Sequence, residues 1–184
     1  TADDYYKDGY PEHTYMEDGQ YLVHLTADEN TTFCSGSSTL QAQWLIFKSG
    51  AKMTFFTDNS LAGGSTFINK DCLKYVKINH PMGLSLLERD SFFYHCRSLQ
   101  KLELKPIYSG NILPNTFSEC FALKKFPVDF DNIDFVGRFA FQQCYNLKNL
   151  QMANCLSIDG FAFDLARGLE TIILPNCTDI GENV

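Results

Sequence analysis

Apolar residues recur along this chain in one frame: Phe, two residues, Cys or Ala, two residues, Leu, two residues, apolar, one residue, apolar. The clearest copy runs Phe141, Cys144, Leu147, Leu150, Met152. The frame stands upstream as Phe117, Cys120, Leu123, Phe126, Val128 and as Phe93, Cys96, Leu99, Leu102, Leu104. Downstream it reads Phe163, Ala166, Leu169, Ile172, Leu174, and a degenerate copy reads Phe67, Lys70, Leu73, Val76, Ile78. The Leu column falls at 73, 99, 123, 147 and 169, in steps of 26, 24, 24 and 22 residues. A repeat of that length marks a stacked solenoid, because one such unit cannot bury its apolar face alone.

Each repeat predicts two parts. After the Leu, alternate apolar residues predict a short strand with Val76 and Ile78, Leu102 and Leu104, Phe126 and Val128, Leu150 and Met152, or Ile172 and Leu174 turned inward. Coils that rise in one direction make the sheet parallel. On the return limb, Val136 to Phe141 aligns with Ile158 to Phe163 and with Ile112 to Phe117. A single helical turn is expected there, dropping Phe and Cys onto the core. Gly137 and Gly160 are expected to permit tight backbone.

The N-terminal part reads differently. Residues 1–20 are acidic, Tyr-rich and broken by Asp8-Gly9, Pro11 and Asp18-Gly19, so they read as an arm. A strand is expected at 21–25 and loop at 26–38. Runs 40–47 and 51–56 flank Lys48-Ser49-Gly50 and predict a β-hairpin, whose second arm begins a zeroth repeat at about 51–66. The hairpin would cap the open sheet edge. The expected organisation is thus an N-terminal arm and β cap over 1–50 and a leucine-rich repeat solenoid over 51–184, its last repeat incomplete.

The frame resembles the BspA-like class of leucine-rich repeats, whose pattern runs close to I-G-x-x-A-F-x-x-C-x-x-L-x-x-I-x-L-P. The best copies are Val136 to Met152 and Ile158 to Pro175, and the resemblance covers about residues 61–184. The chain departs from it at Lys70 and Ala166 in the Cys column and at Glu88 to Phe92. The resemblance implies a surface or secreted protein of the kind found mainly in host-associated bacteria and in some protists; members are associated with attachment to host proteins or other cells, and many have no assigned role. No cofactor is expected.

Charge and cysteine content narrow the picture. A net charge of −7 argues against general nucleic-acid binding, and no apolar run is long enough to span a membrane. No secretory signal opens the chain. Of the seven Cys, 96, 120 and 144 share the core column where Ala166 also stands, which points to packed free thiols. Cys155 and Cys177 share a second column. Their side chains would run nearly parallel, which suits a disulfide poorly, so free thiols are expected there too. No CxxC, G-x-S-x-G, P-loop or H-E-x-x-H occurs, and Asp129 to Asp134 reads as a polar turn rather than a calcium loop. No catalytic, metal or cofactor residue is nominated, and the chain reads as non-enzymatic. His95 and Cys96, though adjacent, are expected to point different ways.

The outward strand positions form the candidate site. One column reads Tyr75, Lys101, Lys125, Asn149, Thr171 and the next Lys77, Glu103, Pro127, Gln151, Ile173. The preceding column adds Lys74, Gln100, Lys124, Lys148 and Glu170. The expected concave binding face comprises Lys74, Tyr75, Lys77, Lys101, Glu103, Lys124, Lys125, Lys148, Asn149 and Gln151. Its lysines form either an electropositive strip for an acidic protein or glycan, or a solvated face on which Lys discourages sheet association. The function expected is a non-enzymatic extracellular interaction or adhesion module. The alternatives are a structural spacer of a larger surface protein and a glycan-binding protein. The last copy stops before its Phe, so the expectation at Val184 is a fragment of a longer array or an end covered by another chain, including self-association.

Overall fold

The computed structural model describes residues 6–7, 10–11, 32–33, 44–47, 54–55, 71–78, 90–104, 110–125 and 132–184. The strands in chain order are β1 (Tyr6–Lys7), β2 (Tyr10–Pro11), β3 (Thr32–Phe33), β4 (Trp44–Phe47), β5 (Thr54–Phe55), β6 (Tyr75–Ile78) and β7 (Lys101–Leu104). They continue as β8 (Gly110–Ile112), β9 (Ile133–Val136), β10 (Asn149–Gln151), β11 (Ser157–Ile158), β12 (Thr171–Ile173) and β13 (Asp179–Ile180). Apart from the antiparallel pair β1–β2, every pairing is parallel. The chain is a parallel β-solenoid of leucine-rich-repeat type.

Two strand columns run along it. The first holds β4, β6 and β7, with Val76 opposite Leu102, then a bridge from Lys101 to Lys125, then β10 paired with β12. The expected strands at 75–78, 101–104, 149–151 and 171–173 are all present. The second column, β8–β9–β11–β13, lies eight or nine residues further along each coil. There the columns of Ile112, Val136 and Ile158 turn inward. No strand was anticipated on this limb.

The hairpin expected around residues 48–50 is corrected by the pairing. β4 runs parallel to β6 with Trp44 opposite Tyr75, and β5 runs parallel to β3 with Thr32 opposite Thr54. The two runs therefore lie in different sheets, each paired in parallel with another strand, instead of facing each other. A short Gly-bearing link between β-prone runs is common to hairpins and to solenoid coils, and only pairing separates them. The strand expected at 21–25 and the Phe67 and Lys70 positions lie outside the described residues.

The return limb holds turns rather than the expected helical turn, and no helix occurs among the described residues. Bonds from residue i to i−3 close the turns, as in Cys120 N to Phe117 O (3.1 Å) and Cys144 N to Phe141 O (3.2 Å). Ser91, Asn115, Phe139 and Phe161 have positive φ, and so do His95, Glu119, Gln143 and Leu165 four residues on. A left-handed residue every four positions breaks a helix and turns N–H groups toward the adjacent coil. Phe93 N donates to Thr116 O, Phe117 N to Ala140 O and Phe141 N to Ala162 O, each at 2.8 Å. Backbone groups that a helix would satisfy within one coil are here satisfied between coils. Gly137 serves close approach, since a Cβ there would meet Pro114 N at 2.7 Å.

The core is one continuous cluster. Leu73, Leu99, Leu123 and Leu147 are fully buried, as are Phe93, Phe117 and Phe141. The Phe rings stack at 5.5 Å (Phe93–Phe117), 5.3 Å (Phe117–Phe141) and 5.4 Å (Phe141–Phe163), forming a spine along the solenoid axis. Cys96, Cys120 and Cys144 fill the gaps between spine and strand as free buried thiols, and Cys155 and Cys177 are free as well. In the last coil Ile172 is 38% and Ile180 59% exposed, against 2% for Leu150 and Ile158 one coil earlier.

Candidate functional site

The parallel register lays the outward strand residues in the expected columns. Tyr75 stands opposite Lys101, Lys77 opposite Glu103, Asn149 opposite Thr171 and Gln151 opposite Ile173. Lys101 bridges to Lys125. The period of two within each strand buries Val76, Leu102 and Leu150 and turns their neighbours out. Lys74, Lys101, Lys124, Lys125, Lys148, Asn149 and Gln151 are exposed, and Tyr75, Lys77 and Glu103 are half-buried. Pro127 lies outside the described residues.

The structure divides these residues into clusters. Glu103 is the centre of one: Lys77 Nζ lies 2.9 Å from its Oε2, and Lys101 Nζ pairs with its Oε1. The Tyr75 hydroxyl donates to the same carboxylate. Lys101 also lies over the Tyr75 ring, 5.4 Å from its centre. Hydrogen bonds from Lys101, Lys77 and Tyr75 hold the Glu103 carboxyl down at about 2. Glu103 in turn raises both lysines, and burial followed by the Glu103 bond raises Tyr75. A second pair joins Lys148 to Glu170. Among the described residues, no ion pair involves Lys124 or Lys125. The lysines of the face are therefore partly neutralised at both ends, by Glu103 and by Glu170, while Lys124 and Lys125 make no ion pair among the described residues.

A second charged cluster sits on the return limb. His95 Nε2 lies 2.8 Å from Glu119 Oε1, and Arg97 donates to Glu119 Oε2 at 3.1 Å. Arg97 also lies 4.0 Å from Asp71 and 5.6 Å from the centre of Phe121, which stacks on Tyr145. Each partner stands in an adjacent coil, so the cluster ties coils together. Reading the outer turn residues in columns, as was done for the strands, would have set His95 beside Glu119. His95 and Cys96 do point apart: the thiol is in the core and the imidazole meets Glu119. No group of three or more His, Cys, Asp or Glu able to hold a metal occurs among the described residues. No helix there is long and apolar enough to cross a membrane.

A sheet of stacked short strands, a buried Leu column and an exposed row of alternate residues define a repeat scaffold with an extended face. The family model for the BspA type leucine rich repeat region matches residues 55–184 in six copies, and the chain belongs to that family. Neither the curated proteins nor the solved structures compared with it gave a match.

Proposed function

We propose that this protein is a non-enzymatic interaction module, secreted or held at a cell surface, that attaches to an acidic partner protein through the outward face of its strand sheet. Membership of a repeat family suited to protein interaction supports the general reading. The observation that carries the specific one is the charge layout. Lys124 and Lys125 are exposed, stand beside Lys101, and take part in no ion pair among the described residues. Cations kept on a rigid sheet in a protein of net charge −7 give a local attraction the whole molecule lacks. No cofactor is involved in this reading.

The test is a pull-down against extracellular host proteins, followed by affinity measurement on the captured partner. Replacing Lys101, Lys124 and Lys125 with Gln is expected to weaken binding at least about tenfold at low ionic strength, and by less as salt screens the charges. Unchanged affinity would remove the strand face from the function.

A further inference from the structure

The Glu103 cluster has the geometry of an occupied anion site. Two lysines share one carboxylate, Lys77 on Oε2 and Lys101 on Oε1, and a phenol adds a third bond. All four groups stand on neighbouring outward positions of β6 and β7, so the sheet fixes their spacing. The lysines reach Glu103 from two different coils. The arrangement sets one cation on each oxygen of a side-chain carboxylate.

One coil further on, no acid pairs with Lys124 or Lys125 among the described residues. Lys125 is bridged to Lys101 as Lys101 is paired to Tyr75, and Lys124 precedes it. The residue that the frame sets in the Glu103 column of that coil is Pro127, which carries no charge. Lys101 is the shared member: its side chain is 62% exposed, and it stands between Tyr75 on one side and Lys125 on the other.

We propose that Glu103 is a built-in competitor for the ligand: it occupies Lys101, and an acidic segment of the partner protein binds by placing a carboxylate between Lys101 and Lys125, drawing Lys101 away from Glu103. This rests on the strand-face reading above and adds the recognised group and the residue that tempers its affinity. A tethered acid competes at an effective concentration far above that of a dissolved ligand, so it sets a threshold that a single ligand carboxylate does not cross. A segment with several adjacent acids, engaging Lys101, Lys125 and Lys124 together, does. The surface would thus discriminate dense acidic segments from isolated carboxylates.

The experiment measures binding of a hexaglutamate peptide at low ionic strength and neutral pH. Its variants are Glu103→Gln, Lys101→Gln, Lys125→Gln and, as a charge control, Glu170→Gln. Glu103→Gln is expected to tighten binding at least about fivefold, and Glu170→Gln by clearly less, because both remove one negative charge but only one frees Lys101. If the two acid variants gain equally, general charge explains the effect and the competitor role fails. If Glu103→Gln gains nothing while Lys101→Gln and Lys125→Gln weaken binding, the competitor role fails and the strand face stands. If neither Lys variant weakens binding, or neither the unmodified protein nor Glu103→Gln binds, both fail. Preference for a heparin fragment over hexaglutamate would overturn the assignment of a peptide carboxylate.

Discussion

The thiol of Cys144 donates to the carbonyl oxygen of Phe117, 3.3 Å away and one coil earlier. Cys120 does the same to Phe93 at 3.2 Å. These cysteines pack and cross-link coils weakly, and burial pushes both thiols well above their usual range. The thiolate is the reactive form, so Cys120 and Cys144 should resist small disulfide reagents in the native protein and label on unfolding; Cys96 should do the same because it is fully buried. Rapid native labelling at Cys144, read by peptide mass, would contradict the packing described. Cys144→Ala removes one buried sulfur and one weak bond and should cost about 1–2 kcal/mol in urea unfolding. That small cost fits the chain's own use of Ala166 in this column.

Position along the spine should set the cost of losing a ring. Phe117 stacks on Phe93 and Phe141 and is fully buried, whereas Phe163 stacks on Phe141 and is 6% exposed in the last described coil. Phe117→Ala should therefore cost about 3–5 kcal/mol, within the range for buried aromatics. Phe163→Ala should cost less, since solvent already reaches its coil and the cavity opens outward. Equal losses in denaturant midpoint would mean that the ring stack carries no cooperativity between coils.

What the sequence discloses follows its periodicity. Leu73, Leu99, Leu123 and Leu147 recur at near-constant steps, and that alone identifies the parallel strands at 75–78, 101–104 and 149–151. The second strand column was hidden because its strands are two to four residues long, too short to alternate visibly. The left-handed turns of the return limb were not legible because their left-handed residues are not glycines. Phe139 and Phe161 adopt φ of 57° and 62°, and no propensity rule places Phe there. Their compensation is tertiary: Arg138 lies 4.9 Å and 5.1 Å from the two ring centres. The candidate face was legible as columns of residue types, but not as ion pairs. Lys77 and Lys101 look alike in the column pattern of Lys124 and Lys125, and only the position of Glu103 between them cancels part of their charge.

Gly168 gives a sharp test of the coil spacing. A Cβ at that position would sit 2.0 Å from Tyr145 O, a backbone atom of the preceding coil that cannot rotate away. Gly168→Ala should push the two coils apart locally and cost about 2–3 kcal/mol, as overpacking does. At Gly160 the nearest atom is Glu182 O at 3.0 Å, in the last coil, which can give slightly. Gly160→Ala should accordingly cost under about 1 kcal/mol. The comparison is made by thermal unfolding of both variants, and a neutral Gly168→Ala would show that the coils stand further apart there than described.

The Glu103 carboxyl provides the pH signature. Its value near 2 lies below the usual 4.5, because hydrogen bonds from Lys101, Lys77 and Tyr75 favour the charged form. A group depressed on folding contributes stability above its unfolded value, and loses that contribution as pH falls from about 4.5 toward 2. The Glu103 carboxyl carbon resonance of the folded protein should therefore titrate well below 4.5. Replacing both Lys77 and Lys101 with Gln removes the two largest causes, so the Glu103 midpoint should rise toward 4.5. The same double variant should lose the acid-limb contribution to stability between those two pH values. Replacing Lys124 and Lys125 instead should leave the Glu103 titration where it is, because neither contacts the carboxylate. A Glu103 midpoint already near 4.5 in the unmodified protein would mean that the two lysines do not hold it, and that the middle of the strip is no more cationic than its end.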